Sequence, residues 1–219
     1  MSRELPVAVV ISGRGSNMEA IARAAQSAGS RYRVVRVIAD RPGAGGLARA
    51  AALGVATSVV PVREFPAREP FEDALARELE ASGAQLVALA GFMRILSPAF
   101  VQRFEGRLLN IHPSLLPAYK GLDTHARILA ARETHHGASV HYVTAELDGG
   151  PVVMQGRLEV RPDDTVDTIS ARVHGLEHII YPHVCSLIAA GRIQWRNGSV
   201  YFDGEPLAGP LIEESDAAA

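Results

Sequence analysis

Two textures alternate through the first half of this chain. Residues 7–11, 34–38, 57–60, 86–89 and 108–111 are short runs rich in β-branched and aliphatic side chains. Apolar runs of this length, with little polar alternation, suit strands covered on both faces. Between them lie alanine-rich segments with helical spacing at 18–28, 46–53 and 71–82. Gly54 and Gly83 stand just past the last two, where helices commonly end. Strand, helix, strand, repeated, predicts right-handed βαβ units. The fold class is therefore α/β, a mostly parallel twisted sheet with helices on both faces, Rossmann-like. Ligands bind such sheets beyond the carboxyl ends of the strands, so the residues that follow strands are the ones to read for chemistry.

After Ile111 the pattern loosens. Residues 112–121, with Pro113, Pro117 and Gly121, form a loop, and 124–132 reads as a short helix with Thr124 as its N-cap. Two further strands are predicted at 138–143 and 152–160, separated by the turn 146–151. A long amphipathic helix follows, with Val166, Ile169, Val173, Leu176 and Ile180 on one stripe. Gly175 and Pro182 interrupt it and predict a bend near Tyr181. Asn197-Gly198, between 193–196 and 200–202, is a two-residue hairpin signal. From Gly209 the chain is acidic and alanine-rich and is expected to fray. The organisation expected is one domain over 1–208, with a phosphate-binding half (1–108), a catalytic half (109–208) carrying antiparallel additions, and a flexible tail (209–219).

With 47% apolar residues, 21% charged residues and a net charge of −2 over 219 residues, the chain has an ordinary globular composition. Near neutrality removes any general electrostatic case for nucleic acid or membrane. No stretch approaches membrane-spanning length, and the apolar run at the N-terminus is too short for a secretion signal, so a cytoplasmic protein is expected. Cys185 is the sole cysteine, which excludes an intrachain disulfide and a multi-cysteine zinc site. Its apolar helical setting marks a buried structural thiol.

Two segments carry chemistry. Ser12-Gly13-Arg14-Gly15-Ser16-Asn17 leaves the first strand and opens the first helix. Its glycines admit a close ligand, and Gly15, Ser16 and Asn17 supply N–H groups, a hydroxyl and an amide to an anion. A dinucleotide site would want a small residue where Met18 stands, with Asp40 as the ribose acid. A single phosphate monoester fits Met18 better, and a plain helix-capping turn is the remaining alternative. The second segment is Asn110-Ile111-His112-Pro113, at the end of a central strand. Residues two apart in a strand share a face, so an amide and an imidazole project together. Asp148, on the turn Asp148-Gly149-Gly150-Pro151, can reach back toward the histidine. Such a set suits attack on a carbonyl, with Asn110 and His112 donating to the oxyanion and Asp148 stabilising the imidazolium; a hydrogen-bonded structural histidine and a plain Asp-Gly turn are the alternative. No serine or cysteine is placed as a nucleophile, which favours direct transfer to an amine.

The segments 11–18, 90–97, 109–117 and 146–151 resemble, in order and in sequence, the phosphoribosylglycinamide formyltransferase family. The resemblance extends from the first strand to the final hairpin. It implies transfer of a formyl group from 10-formyltetrahydrofolate to the glycyl amine of phosphoribosylglycinamide. The phosphate would lie on Gly15, Ser16 and Asn17, with Pro113, His174 and Glu177 also at this substrate. Glu177 matches the family's ribose contact, while His174 stands where some members have glutamine. The folate would lie against Met93, Arg94, Ile95 and Leu96, Asn110, and Thr144, Ala145, Glu146, Leu147 and Asp148. Arg68 would sit near its tail, and Leu89, Phe100 and Val101 would line the pterin pocket.

The resemblance also implies no metal, although His135, His136 and His141 could suggest one. The first two are expected on a basic surface helix end. No nucleic acid or membrane partner is implied, and the protein would be a monomer or homodimer. Asp123 departs from the histidine often found there. Two related activities, formyltetrahydrofolate hydrolase and methionyl-tRNA formyltransferase, are expected to need additional domains for which this length leaves no room. A non-catalytic nucleotide-binding module is the rival from another class.

Overall fold

The computed structural model describes residues 4–214. The expected parallel core is present as β1 (Leu5–Ile11), β2 (Tyr32–Ala39), β3 (Thr57–Val59), β4 (Leu86–Leu89) and β5 (Leu108–His112). These strands are connected through α1 (Ser16–Ala25), α2 (Gly45–Ala52), α3 (Arg68–Ala81) and α4 (Pro98–Arg103). Then come α5 (Thr124–Ala131), β6 (His135–Tyr142), β7 (Val152–Glu159) and α6 (Val166–Ala189). The chain continues with β8 (Ile193–Arg196), β9 (Ser199–Phe202), β10 (Glu205–Pro206) and β11 (Leu211–Glu214). The main sheet has eight strands in the order β11-β7-β6-β5-β4-β1-β2-β3, and β8 to β10 form a separate antiparallel sheet.

Two apolar layers sandwich the sheet. Val7, Val9, Ile11, Leu109 and Ile111 belong to one with Met18 and Ile21 of α1 and Val173, Leu176 and Ile180 of α6. Ala8, Val10, Val87 and Leu108 belong to the other with Phe71, Leu75 and Leu79 of α3 and Phe100 of α4. Burial on both sides explains why these strands lack polar alternation. Gly54 and Gly83 follow their helices at φ 70° and 69°, the left-handed geometry expected of them. Cys185 is buried, and burial pushes its thiol up to about 12, as suits a structural residue.

Several local expectations give way. Thr124 does not cap α5: Asp123 occupies the N-cap at φ 56° with no side-chain cap, and Thr124 is buried in the first turn. The long helix α6 remains one helix through Gly175 and Pro182. Proline removes one backbone donor, but the buried stripe packs against the sheet on both sides of it. The tail from Gly209 is not all frayed. Residues 211–214 pair in parallel with β7, Leu211 opposite Met154 and Glu214 opposite Arg157, and the Arg157 guanidinium grips the Glu214 carboxylate at 2.5 and 3.2 Å. Residues 215–219 of that tail lie outside the described residues.

His135 and His136 open a strand and not a helix end, because α5 stops at Ala131 and Arg132 turns left-handed at φ 55°. His135 is exposed and His136 fully buried. The helix α4 was not anticipated. Its signal is Ser97, whose hydroxyl accepts from Phe100 N, followed by Pro98 in the first turn. Among the described residues no helix is long and apolar enough to cross a membrane.

Candidate active site

The sheet changes direction at β5. Asn110 pairs in parallel with Leu89 of β4 on one side and antiparallel with His141 of β6 on the other. His112 lies opposite Ser139. Period-two geometry puts Asn110 and His112 on one face at the carboxyl end of the strand, with His112 only 6% exposed. His112 Nδ1 lies 3.4 Å from Asp148 Oδ2, and Nε2 lies 2.9 Å from the Tyr119 carbonyl. Both ring nitrogens thus face oxygen acceptors.

Asp148 is held by a strained turn. It is left-handed at φ 47°, and Gly149 N donates to Glu146 O at 3.1 Å to close the loop. Its Oδ2 also accepts from Gly121 N at 3.0 Å, so one carboxylate joins the 146–151 turn to the loop after β5. That loop is anchored in turn. Ser139 Oγ donates to Ser114 O at 2.6 Å and accepts from Leu116 N at 3.0 Å, while Gln155 Nε2 donates to Leu116 O at 2.8 Å.

His141 completes the cluster and was not assigned to it from the sequence. Asn110 Nδ2 lies 3.2 Å from His141 Nε2, and Asp148 Oδ1 lies 3.9 Å from the same nitrogen. Burial holds this imidazole below its usual range. Alternation along β6 puts His141 and Ser139 on one face and His136 on the other, so the three histidines do not converge. Among the described residues no group of three or more His, Cys, Asp or Glu is arranged to hold a metal.

The glycine loop lies at the carboxyl end of β1. Gly15 caps α1 at φ 77° with no side-chain cap, leaving the leading N–H groups of Ser16, Asn17 and Met18 for an anion. The start of α2 presses on this loop. Gly46 N donates to Gly13 O at 3.1 Å, and a Cβ on Gly15 would come 2.6 Å from Gly46 Cα. Met18 is fully buried and Asp40 is engaged by Arg94 Nε at 3.0 Å. Neither favours a dinucleotide. Beside the loop, Asn17 Nδ2 donates to Glu177 Oε2 at 2.8 Å, and burial raises the Glu177 carboxyl. His174, half-exposed, lies 3.9 Å from Glu177.

A cavity of about 420 Å³ opens between α3 and the 91–97 loop, lined by Arg68, Phe71, Glu72, Met93, Arg94 and Ile95 among others. Met93 and Ile95 are 75% and 63% exposed. Glu72 was not singled out in the sequence. It is buried and accepts from Ser97 N at 2.7 Å and from the Ser97 hydroxyl, fixing the end of that loop. Leu96 also lines the cavity, whereas Leu89, Phe100 and Val101 are buried in the adjoining core. Thr144, Ala145, Glu146 and Leu147 are half-buried to exposed and do not line it; Glu146 accepts from Lys120 Nζ at 2.7 Å. Pro113, half-buried, leads away from His112.

Comparison with known proteins identifies the family. Residues 5–185 match the family described as formyl transferase. The phosphoribosylglycinamide formyltransferase of Escherichia coli K12 is 46% identical over 92% of this chain and 95% of its own. Two solved structures are similar. That of the phosphoribosylglycinamide formyltransferase from Coxiella burnetii has TM-score 0.90 and 49% identity, covering 95% of this chain and 100% of the other. That of glycinamide ribonucleotide transformylase 1 from Symbiobacterium toebii has TM-score 0.88 and 38% identity, covering 92% and 95%. A match over most of the chain in sequence and in fold places this protein, whose β5 carries an amide and an imidazole beside a turn carboxylate, in the formyl transferase family, among its phosphoribosylglycinamide formyltransferases.

Proposed function

We propose that this protein transfers the formyl group of 10-formyltetrahydrofolate to the glycyl amine of phosphoribosylglycinamide, as a cytoplasmic enzyme of de novo purine biosynthesis. The observation that carries the reading is the meeting of Asn110, His112 and Asp148 at the end of β5, with no nucleophilic side chain assigned among them. The substrate phosphate sits on Gly15, Ser16 and Asn17, where a helix start offers N–H groups. Glu177 and the neighbouring His174 take the ribose side, and Pro113 bounds the site. The folate lies toward Arg68 and the 93–96 segment, with the 144–148 loop and the apolar residues Leu89, Phe100 and Val101 around its ring.

In this mechanism the glycyl nitrogen attacks the formyl carbon. The oxygen of the tetrahedral intermediate gathers negative charge and is stabilised by Asn110 Nδ2–H and the His112 ring. Asp148 stabilises the imidazolium and holds the ring toward the reacting centre. The proton lost by the amine goes to N10 of the folate as the carbon–nitrogen bond breaks, so no net proton is needed. No residue forms a covalent intermediate and no metal takes part.

An absorbance assay for the folate product, with and without phosphoribosylglycinamide, tests this. Product only in the presence of the amine is the expected result. Product without it would make the protein a hydrolase, and no product with either would leave a binding module. Asn110→Ala and His112→Ala should each lower kcat by roughly 100-fold or more.

A further inference from the structure

His141 has a definite hydrogen-bonding state. Its Nδ1 is 2.9 Å from the Tyr142 carbonyl, which can only accept, so Nδ1 carries the proton. The ring is 2% exposed, and burial opposes a second proton. Nε2 therefore presents a lone pair, and the Asn110 atom 3.2 Å away must donate to it. That relation orients the amide. Nδ2 turns toward β6 with one of its two hydrogens engaged, and the second remains for a ligand.

The backbone makes the pair close and directional. Asn110 and His141 are direct antiparallel partners, so their side chains stand on the same face about 5 Å apart at Cβ. The β6–β7 register shifts between Val140 and His141. The extra residue is Val153, on β7, so β6 keeps its regular register with β5 across Asn110 and His141. Asp148 Oδ1, 3.9 Å from His141 Nε2, lies beyond hydrogen-bond distance, leaving Asn110 as the partner of that nitrogen.

We propose that His141 is a positioning residue for the formyl transfer: its Nε2 lone pair holds the Asn110 amide so that the remaining Nδ2–H points at the oxygen that becomes anionic. This rests on the role of Asn110 given above. It predicts an effect on turnover that passes through Asn110, because misplacing a donor costs the transition state more than it costs substrate binding.

The test is a double-mutant cycle on kcat and KM, using purified full-length chain with its two substrates. His141→Leu, which removes the acceptor, should lower kcat on the order of 10-fold or more while leaving both KM values within about 3-fold. His141→Gln, whose side-chain oxygen can stand where Nε2 was, should restore much of that loss. In an Asn110→Ala background, His141→Leu should produce little further loss. Full activity of Asn110→Ala would overturn the role of Asn110 and this inference with it. A large loss in Asn110→Ala, multiplied again by the same factor when His141→Leu is added, would overturn the inference alone. Should His141→Leu fail to fold, the cycle runs on His141→Gln, His141→Asn and Asn110→Ala. His141→Asn, which is too short to reach, should fall below His141→Gln only when Asn110 is present, and a fall in both backgrounds would overturn the proposal.

Discussion

Asn17 and Glu177 are 160 positions apart in the chain, yet the Asn17 amide donates to the Glu177 carboxylate at 2.8 Å. The contact ties the glycine loop to the long helix α6. Glu177 should therefore act on the phosphoribosyl substrate more than on the folate. Glu177→Ala should raise KM for phosphoribosylglycinamide by about 10-fold or more, a cost of about 1.4 kcal/mol, with a much smaller change in folate KM. It should also lower stability by roughly 1–3 kcal/mol, because the Asn17 amide loses its partner in a buried setting. Steady-state kinetics and urea unfolding read the two effects separately.

Gly15 is the tightest point of the glycine loop, left-handed at φ 77° and pressed against Gly46. A side chain there costs about 1–2 kcal/mol in backbone conformation and overlaps the start of α2. Gly15→Ala should weaken competitive inhibition by inorganic phosphate and raise KM for the phosphoribosyl substrate about 10-fold or more. Unchanged phosphate inhibition would remove the loop from the anion site.

Acid should loosen the molecule at His136. Its ring is fully buried, with Nε2 2.8 Å from His125 Nδ1 and no partner for Nδ1. Burial, helped by His125 and His112, holds its pKa at about 4. An unfolded histidine titrates near 6.5, so between about pH 4 and 6.5 the unfolded chain binds more protons than the folded one. The stability linked to this group is complete above that window and is lost as pH falls through it. His125, also lowered by burial, adds in the same direction. Urea unfolding at about pH 7.5 and 5 should show a smaller loss on acidification in His136→Gln than in the parent. Equal losses would contradict it.

The final strand should matter to folding. Removing residues 211–219 takes away β11 and bares the edge of β7. Unpaired edges recruit other chains. The truncated protein should lose on the order of 1–3 kcal/mol of stability and aggregate more on heating, as read by light scattering during a thermal ramp.

Long-range order was legible because it rests on repeated, redundant signals. Five apolar runs and their intervening helices point to one parallel sheet, and Asn110 and His112 share a face wherever the strand ends to within a residue. What escaped depended on single contacts. His141 is recognisable only once β6 is known to run back along β5 with Asn110 opposite it, and pairing register is not written in either strand alone. The same gap put His135 and His136 at a helix end: the helix stops within a residue of where it was expected, but β6 begins at His135, paired with Glu159 of β7, three residues before the expected strand. Residues 211–214 looked like a tail because their composition is acidic. Their pairing depends on Arg157, more than fifty residues away. Thr124 lost the cap to Asp123 through a backbone turn that its hydroxyl does not advertise.

The alternation of side chains along β5 limits how this enzyme can misfold. Leu109 and Ile111 face one apolar layer from the same strand on which Asn110 and His112 occupy the opposite face. A slip of one residue against β4 or β6 would drive the polar pair inward and two aliphatic chains outward. Misregistered molecules should therefore be too unstable to persist as folded protein. A preparation that is partly inactive through misfolding should contain unfolded and fully competent molecules, with no compact, impaired population between them.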